Sequence, residues 1–507
     1  MNPAYGVVAI VLVCTVTLAI GAFGLRLSRT TSDFYVAGRT VTPYRNASAI
    51  GGEYLSAASF LGIAGLVYTN GLDMLWFPVG YTVGYVVLLV LVAAPLRRSG
   101  AYTLPDFAEA RLESTVIRRL CSVLVVGIGW LYLLPQLQGA GLALGTVTGA
   151  PTWVGGLIVA VVVVANVAAG GMRSITLVQS VQYWVKLTAI AVPAFVLLGA
   201  WVGDGAPGPA AAREAKWIEP LNGIAGQGHP VYATYSLLLA LALGTMGLPH
   251  VLVRFYTNPD GKAARRTTVT VVALLGAFYL FPPLYGVLGR VYLPDLSSGA
   301  ADTFVLRLPG AMVPDRLGET LSAVLAGGAF AAFLSTASGL TISVAGVIDQ
   351  DLLRRRLGRM TGDDFTVAQG FRLATVLSVL VPYAASRLIE PVGLATMVSL
   401  AFAVAASTFC PLLVLGSWWR GLSTVGAAAG LVVGGTLAAA AVGLTIFAGP
   451  IPGWPGALLG QPAAWTIPIA FATAVVVSLA TPSRIPRHTA RTMVRLHTPE
   501  DLALDRN

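Results

Sequence analysis

Charged residues are scarce in this 507-residue chain: Asp, Glu, Lys and Arg together make up 11% of it, against about 25% in soluble domains. That scarcity excludes a water-soluble enzyme. Histidine (4) and cysteine (3) are nearly absent. Cys14, Cys121 and Cys410 lie inside apolar runs without metal-ligand spacing, so neither a disulfide framework nor a zinc site follows, and they read as packing residues. The chain also lacks a P-loop, a nucleophile elbow, an HExxH pair and a dinucleotide fingerprint, which leaves an ATP motor or a hydrolase of soluble type without support. An integral-membrane enzyme would need a catalytic constellation, and the sparsity of intramembrane His, Asp and Glu opposes one.

What the chain has in abundance is apolar surface: 56% hydrophobic residues before its 57 glycines are counted, and a mean hydropathy of +0.77. The glycines have no three-residue period, so collagen and disorder are excluded with it. A bilayer core of about 30 Å is crossed by about 20 apolar residues in a helix. Thirteen runs of that kind are present, near 4–25, 47–68, 74–96, 119–148, 153–171, 176–201, 232–254, 268–289, 319–348, 368–387, 390–415, 423–448 and 464–481. The sequence therefore predicts an all-α integral membrane protein of about 13 transmembrane helices in one domain.

The net charge of +10 is distributed as membrane topology, with no aromatic-interleaved basic face for nucleic acid. Arg26, Arg29, Arg39, Arg45, Arg97, Arg98, Arg111, Arg118, Arg119, Arg254, Lys262, Arg265 and Arg266 share one side with Arg354, Arg355, Arg356, Arg359 and a basic tail over 482–507. The other side has only Arg213, Lys216, Arg290, Arg307, Arg316 and Arg387. Basic loops stay inside, so the amino terminus is expected outside, the carboxyl terminus in the cytoplasm, and the helix number odd. The first run lacks a basic n-region and a cleavage site, which predicts a retained helix of the cell membrane. The tail reads as a solvated end drawn to anionic lipid, and the segments 202–231 and 290–318 as loops or short interfacial helices on the other side.

Polar groups inside a span are expensive and mark sites unless they pair or snorkel. Gly51, Gly52, Glu53, Ser56, Ser59, Gly62 and Gly65 crowd the second run; such a helix can unwind where it lines a protein-enclosed cavity, and close helix packing is the competing explanation. Ser335, Thr336, Ser338, Thr341 and Ser343 bring hydroxyls into the ninth run, where they offer oxygens to a partner or bond back to their own helix. Pro135, Gln136, Gln138, Gly139 and Gly141 predict a polar kink in the fourth. Lys186, in the sixth run with Gln179 and Gln182, reads as a snorkelling or paired lysine. His250 has no ligand spacing and is not expected to bind metal.

These residues carry a resemblance. The string Gly52–Tyr68 with Thr69-Asn70-Gly71 and Tyr102-Thr103-Leu104-Pro105-Asp106, then Gln138-Gly139-Ala140-Gly141, Gly170-Gly171-Met172, Gly244–Thr257 and the Ser335-Thr336 helix ending in Asp349 and Asp351, resembles the solute:sodium symporter family, in particular its cation/acetate (monocarboxylate) branch. The match runs in order from about residue 30 to 415. It implies a five-plus-five inverted-repeat, leucine-transporter-like core, with repeats over 47–201 and 232–415. It also implies a co-transported sodium ion held by the carbonyls of Gly52, Leu55 and Ala332 and the hydroxyls of Ser335 and Thr336, a donor set that suits a hard cation. Some sugar-transporting relatives have an aspartate where this chain has Gln179, so one sodium is expected and not two. The amino-terminal ends of half-helices attract a carboxylate, which makes Ser56, Ala58 and Ser59 the first candidates for substrate contact and Gln136 and Thr245 the second. The expected function is sodium-driven import of acetate, propionate or pyruvate across the lipid bilayer. The alternative is sodium- or proton-coupled symport of proline, pantothenate or a sugar. A membrane sensor is the rival from another class, and the short segment after the last run opposes it.

Overall fold

The computed structural model describes residues 3–25, 37–209, 215–221, 228–296, 298–353, 367–390, 392–449, 451–500 and 502. Of the basic residues used for topology, Arg26, Arg29, Arg213 and the 354–359 group lie outside them. The described residues form helices and turns without a strand. The main elements are α1 (Pro3–Leu25), α2 (Pro43–Tyr54), α3 (Ile63–Asn70), α4 (Trp76–Leu91), α5 (Leu104–Leu112) and α6 (Thr115–Thr148). They continue with α7 (Thr152–Ala168), α8 (Gly170–Gly203), α9 (Pro230–Gly244), α10 (Gly261–Tyr292), α11 (Asp315–Val347) and α12 (Val367–Ser386). The last four are α13 (Leu394–Trp418), α14 (Thr424–Phe447), α15 (Ala463–Ala480) and α16 (Thr489–His497).

Among the described residues, ten helical spans are long and apolar enough to cross a bilayer unaided, and α2 with the segment Ala58–Asn70, bent by 70°, makes an eleventh. The remaining two expected spans are α7, which is shorter, and α12. Burial separates centre from rim: the most hydrophobic stretch of α11 is 100% buried and that of α13 89%, whereas that of α1 is 22% buried. A helix apolar on every side belongs in the centre of a bundle or against lipid. Here α11 is the central post, packed on α8, α6 and α1. At the start of α8 the chain breaks at Gly171, whose φ of 58° lies in the left-handed region that glycine enters without a Cβ penalty.

The tail departs from its sequence expectation. α16 is not a free solvated end: Met493 and Leu496 are buried, and His497 Nε2 lies 2.8 Å from the Ser417 carbonyl. Arg98 pairs with Glu500 at 3.3 Å. Buried Arg111 donates to the Gly416 and Trp419 carbonyls and to Thr489, and burial pushes its pKa down to about 10. At the same face Arg118, near the start of α6, joins Asp106 and Glu109 of α5 to Asp351 beyond α11, at 2.6 to 2.8 Å.

Candidate functional site

The glycine- and serine-rich string does interrupt its helix. α2 ends at Tyr54, Leu55 takes a non-helical ψ of 84°, and the chain resumes as a π-helical turn over Ala58–Gly62. The new ladder begins with Phe60 N–H on the Ser56 carbonyl, so the amides of Ala57, Ala58 and Ser59 precede its first bond, as at any helix start. Gln136 of α6 reaches the first of them: its Oε1 accepts from Ala57 N–H at 3.1 Å. Gln138, expected in the same kink, faces away and donates to the Ile389 carbonyl.

A second break faces the first, and the sequence reading missed it. α9 ends at Gly244, Thr245–Gly247 is a 3-10 turn, Leu248 is extended, and a new helix covers Pro249–Phe255. Proline removes an amide that a continuous helix needs; the string Gly-Thr-Met-Gly-Leu-Pro was the available signal, but the expected span ran through it over 232–254. Thr245 Oγ1 and Tyr54 Oη, 2.9 Å apart, join the two breaks.

An aromatic wall closes around the junction. Tyr54 stands edge-on to Tyr85 at 4.8 Å, Tyr81 stacks on Tyr279 at 6.0 Å, and Phe402 of α13 contacts Tyr54, Tyr81 and Tyr132. Ser59 Oγ and Tyr279 Oη are 3.0 Å apart, and Ser56 lies against Tyr132. Ser56, Ala58, Ser59, Gln136 and Thr245 are all buried, none more than 2% exposed. The structure thus brings the five substrate candidates to one region, and it adds Tyr54, Tyr81, Tyr85, Tyr132, Tyr279 and Phe402, none of which the sequence singles out.

On the other side of α2 lies a buried ionic network. Glu53 Oε2 accepts from Arg254 Nε at 2.6 Å, with side chains 2% and 0% exposed. Arg254 also donates to Thr176 at 2.7 Å and to Gln179 Oε1, while Gln179 Nε2 donates to the Ser335 carbonyl at 2.7 Å. Gly339 of α11 makes room for Glu53, since a Cβ there would fall 2.1 Å from Glu53 Oε1. Glu53, unassigned from sequence, is therefore an ion-pair partner.

The five expected cation ligands also converge, with an unforeseen occupant. Lys186 Nζ donates to the carbonyls of Gly52 and, at 2.8 Å, Leu55, and to the Ser335 hydroxyl. Ser335 Oγ in turn bonds to the carbonyls of Gly52 at 2.6 Å and Ala332 at 3.2 Å. Thr336 Oγ1 donates to the Glu53 carbonyl at 2.5 Å. Lys186 is paired, as one of its two sequence readings had it, but with helix-break oxygens rather than a carboxylate. Glu53 and Arg254 are matched to each other, and Lys186 stands beside them as a second basic side chain in the network.

Two interrupted spans meeting beside a central helix are the architecture of the leucine-transporter-like fold. The fold agrees with a Na+-coupled sialic acid symporter in its substrate-bound outward-open state, at a TM-score of 0.69 and 15% identity over 93% of this chain and 97% of that one. MhsT, in complex with L-phenylalanine, has a TM-score of 0.53 at 15% identity, covering 86% and 98%. Residues 34–434 match the Sodium:solute symporter family, and the chain belongs to it. Similar relatives are the monocarboxylic acid transporter of Corynebacterium glutamicum, 31% identical over 93% of this chain and 90% of that protein, and the uncharacterized symporter YwcA of Bacillus subtilis, 32% identical over 82% of each.

Proposed function

We propose that this protein imports a small monocarboxylate, such as acetate, propionate or pyruvate, across the cell membrane by secondary active transport, with the basic face in the cytoplasm. The observation that carries the reading is a second basic side chain, Lys186, beside a helix break whose leading amides, Ala57 to Ser59, precede the first helical bond, with buried Gln136 on the first of them. A carboxylate supplies the opposite charge and accepts those amides; a neutral sugar does neither. The Corynebacterium relative's description supports the same class. In this reading Ser56, Ala58 and Ser59 contact the substrate, Gln136 and Thr245 shape the pocket, and Tyr81, Tyr279 and Phe402 wall it. Alternating access is rocking of the repeat 47–201 against 232–415, which must open a junction that is closed to solvent here.

Sodium is the coupling ion that the family supports, and coupling requires that the ion favour the state that binds substrate. The position of Lys186 favours a second reading, in which the charge at the break belongs to the chain itself.

Radiolabelled acetate uptake into proteoliposomes tests the function. Accumulation above the equilibrium level is expected, with competition by propionate and pyruvate and none by proline or glucose; competition by proline alone would overturn it. Gln136→Ala removes the acceptor on Ala57 N–H and is expected to raise KM for acetate about three- to tenfold, the range of one hydrogen bond. An unchanged KM in well-expressed protein would remove Gln136 from the site.

A further inference from the structure

Three of the five groups that the family resemblance assigns to a sodium ion, the carbonyls of Gly52 and Leu55 and the hydroxyl of Ser335, are acceptors for Lys186. The other two are engaged elsewhere: the Ala332 carbonyl with Ser335, and the Thr336 hydroxyl with the Glu53 carbonyl. An ammonium group has three N–H donors and no acceptor, and here it meets three oxygens. A sodium ion would seek the same oxygens as a hard cation, and two like charges in one buried, low-dielectric place repel. The residues present therefore do not fit a free sodium ion together with Lys186.

Among the described residues, the groups facing Lys186 include no second carboxylate to offset an added ion. From α2 comes Glu53, already held by Arg254 at 2.6 Å. From α11 come the neutral groups Ala332, Ser335 and Thr336, and on its own helix Gln179 and Gln182, the latter bonded to Thr17 of α1 at 3.0 Å. The four-carbon stem of Lys186 is itself buried with the ammonium, so the charge does not snorkel to a surface.

We propose that the ammonium of Lys186 is the resident cation of this junction, standing where the family resemblance places sodium, and that the transport cycle takes up no sodium there. The role of that charge in holding an anionic solute rests on the proposed function; the exclusion of sodium does not. The difference is one of attachment: a tethered cation keeps the break and α11 together throughout the cycle, whereas a free ion would bind and leave.

The test uses the full chain in proteoliposomes and in detergent. Binding of radioactive sodium and the melting temperature are measured in sodium chloride against N-methylglucamine chloride at equal ionic strength, for the wild type, Lys186→Ala and Lys186→Arg. The wild type and Lys186→Arg are expected to bind no sodium saturably and to melt alike in both salts. Lys186→Ala, with the three oxygens released, is expected to gain a saturable sodium response. Acetate uptake by the wild type, with pH and voltage gradients held constant, should change less than about twofold when sodium is replaced, well short of the tenfold that 1.4 kcal/mol represents. Saturable sodium binding by the wild type, or loss of uptake on removing sodium, would overturn the proposal. If Lys186→Ala fails to fold, the wild-type measurements decide alone. Absence of acetate uptake in every salt, with no sodium bound, would refute the monocarboxylate reading and leave the assignment of Lys186 standing.

Discussion

Arg254→Leu is expected to destabilise the protein by about 3–5 kcal/mol, the cost of stranding one partner of a buried ion pair, and to abolish uptake. The variant leaves Glu53 fully buried without the guanidinium that lies 2.6 Å away, and it also releases Thr176 and Gln179. Arg254→Lys is expected to recover only part of the loss, because an ammonium cannot serve three acceptors in the directions of a planar fork. The double variant Glu53→Gln with Arg254→Leu removes both charges and is expected to be more stable than Arg254→Leu alone, the non-additivity that a coupled pair produces. Thermal melts followed by size-exclusion fluorescence measure all three. A single Arg254→Leu variant as stable as the wild type would show that the pair does not hold the two breaks together.

The second large effect is expected at Gly52. A Cβ on this residue would fall 2.1 Å from the Gln179 carbonyl oxygen and 2.9 Å from its carbon. Both are backbone atoms of α8 and cannot swing aside, so Gly52→Ala must push α2 away from the helix that carries Lys186. Overpacking of this kind costs about 1–3 kcal/mol. The displacement also draws the Gly52 carbonyl away from Lys186 and Ser335, both of which it accepts from. Acetate uptake is expected to fall at least about tenfold, the factor that 1.4 kcal/mol represents, in protein that still reaches the membrane. Gly127→Ala, in α6 with nothing within 4 Å of the added atom, serves as the control and should transport like the wild type. Equal uptake by both variants would refute the close approach of α2 to α8.

The first break was legible because its cause is local: Gly51, Gly52, Ser56 and Ser59 lie within nine residues of an otherwise apolar helix. The hydroxyl pair Ser335 and Thr336 was legible for the same reason. Partners were not. Glu53 and Arg254 are separated by 201 positions, and Lys186 lies 134 positions from Gly52, so only the fold brings them together. A lysine within an apolar run has the same local sequence whether it reaches a headgroup or fills a cation cage. The break at Thr245–Gly247 was hidden by the apolar run around it, which over 232–254 looks like one continuous span. The aromatic wall was hidden by composition, since buried tyrosines in a membrane helix look like lipid-facing bulk until neighbouring helices turn them inward. α16 misled in the opposite direction: its arginines suggested a solvated tail, while the buried faces of Met493 and Leu496 are visible only once α5 and α13 are in place.

Gln179 has a consequence at a distance from the solute. Its amide is fixed in orientation, oxygen toward Arg254 and nitrogen toward the Ser335 carbonyl, so it ties Arg254 to the backbone of the residue whose hydroxyl accepts from Lys186 and adds no charge of its own. A carboxylate in its place would oppose that carbonyl and erase the electrostatic potential that reaches the break. In the proposed reading, discrimination between acidic and uncharged nutrients is thus set by a neutral side chain that need never touch the cargo.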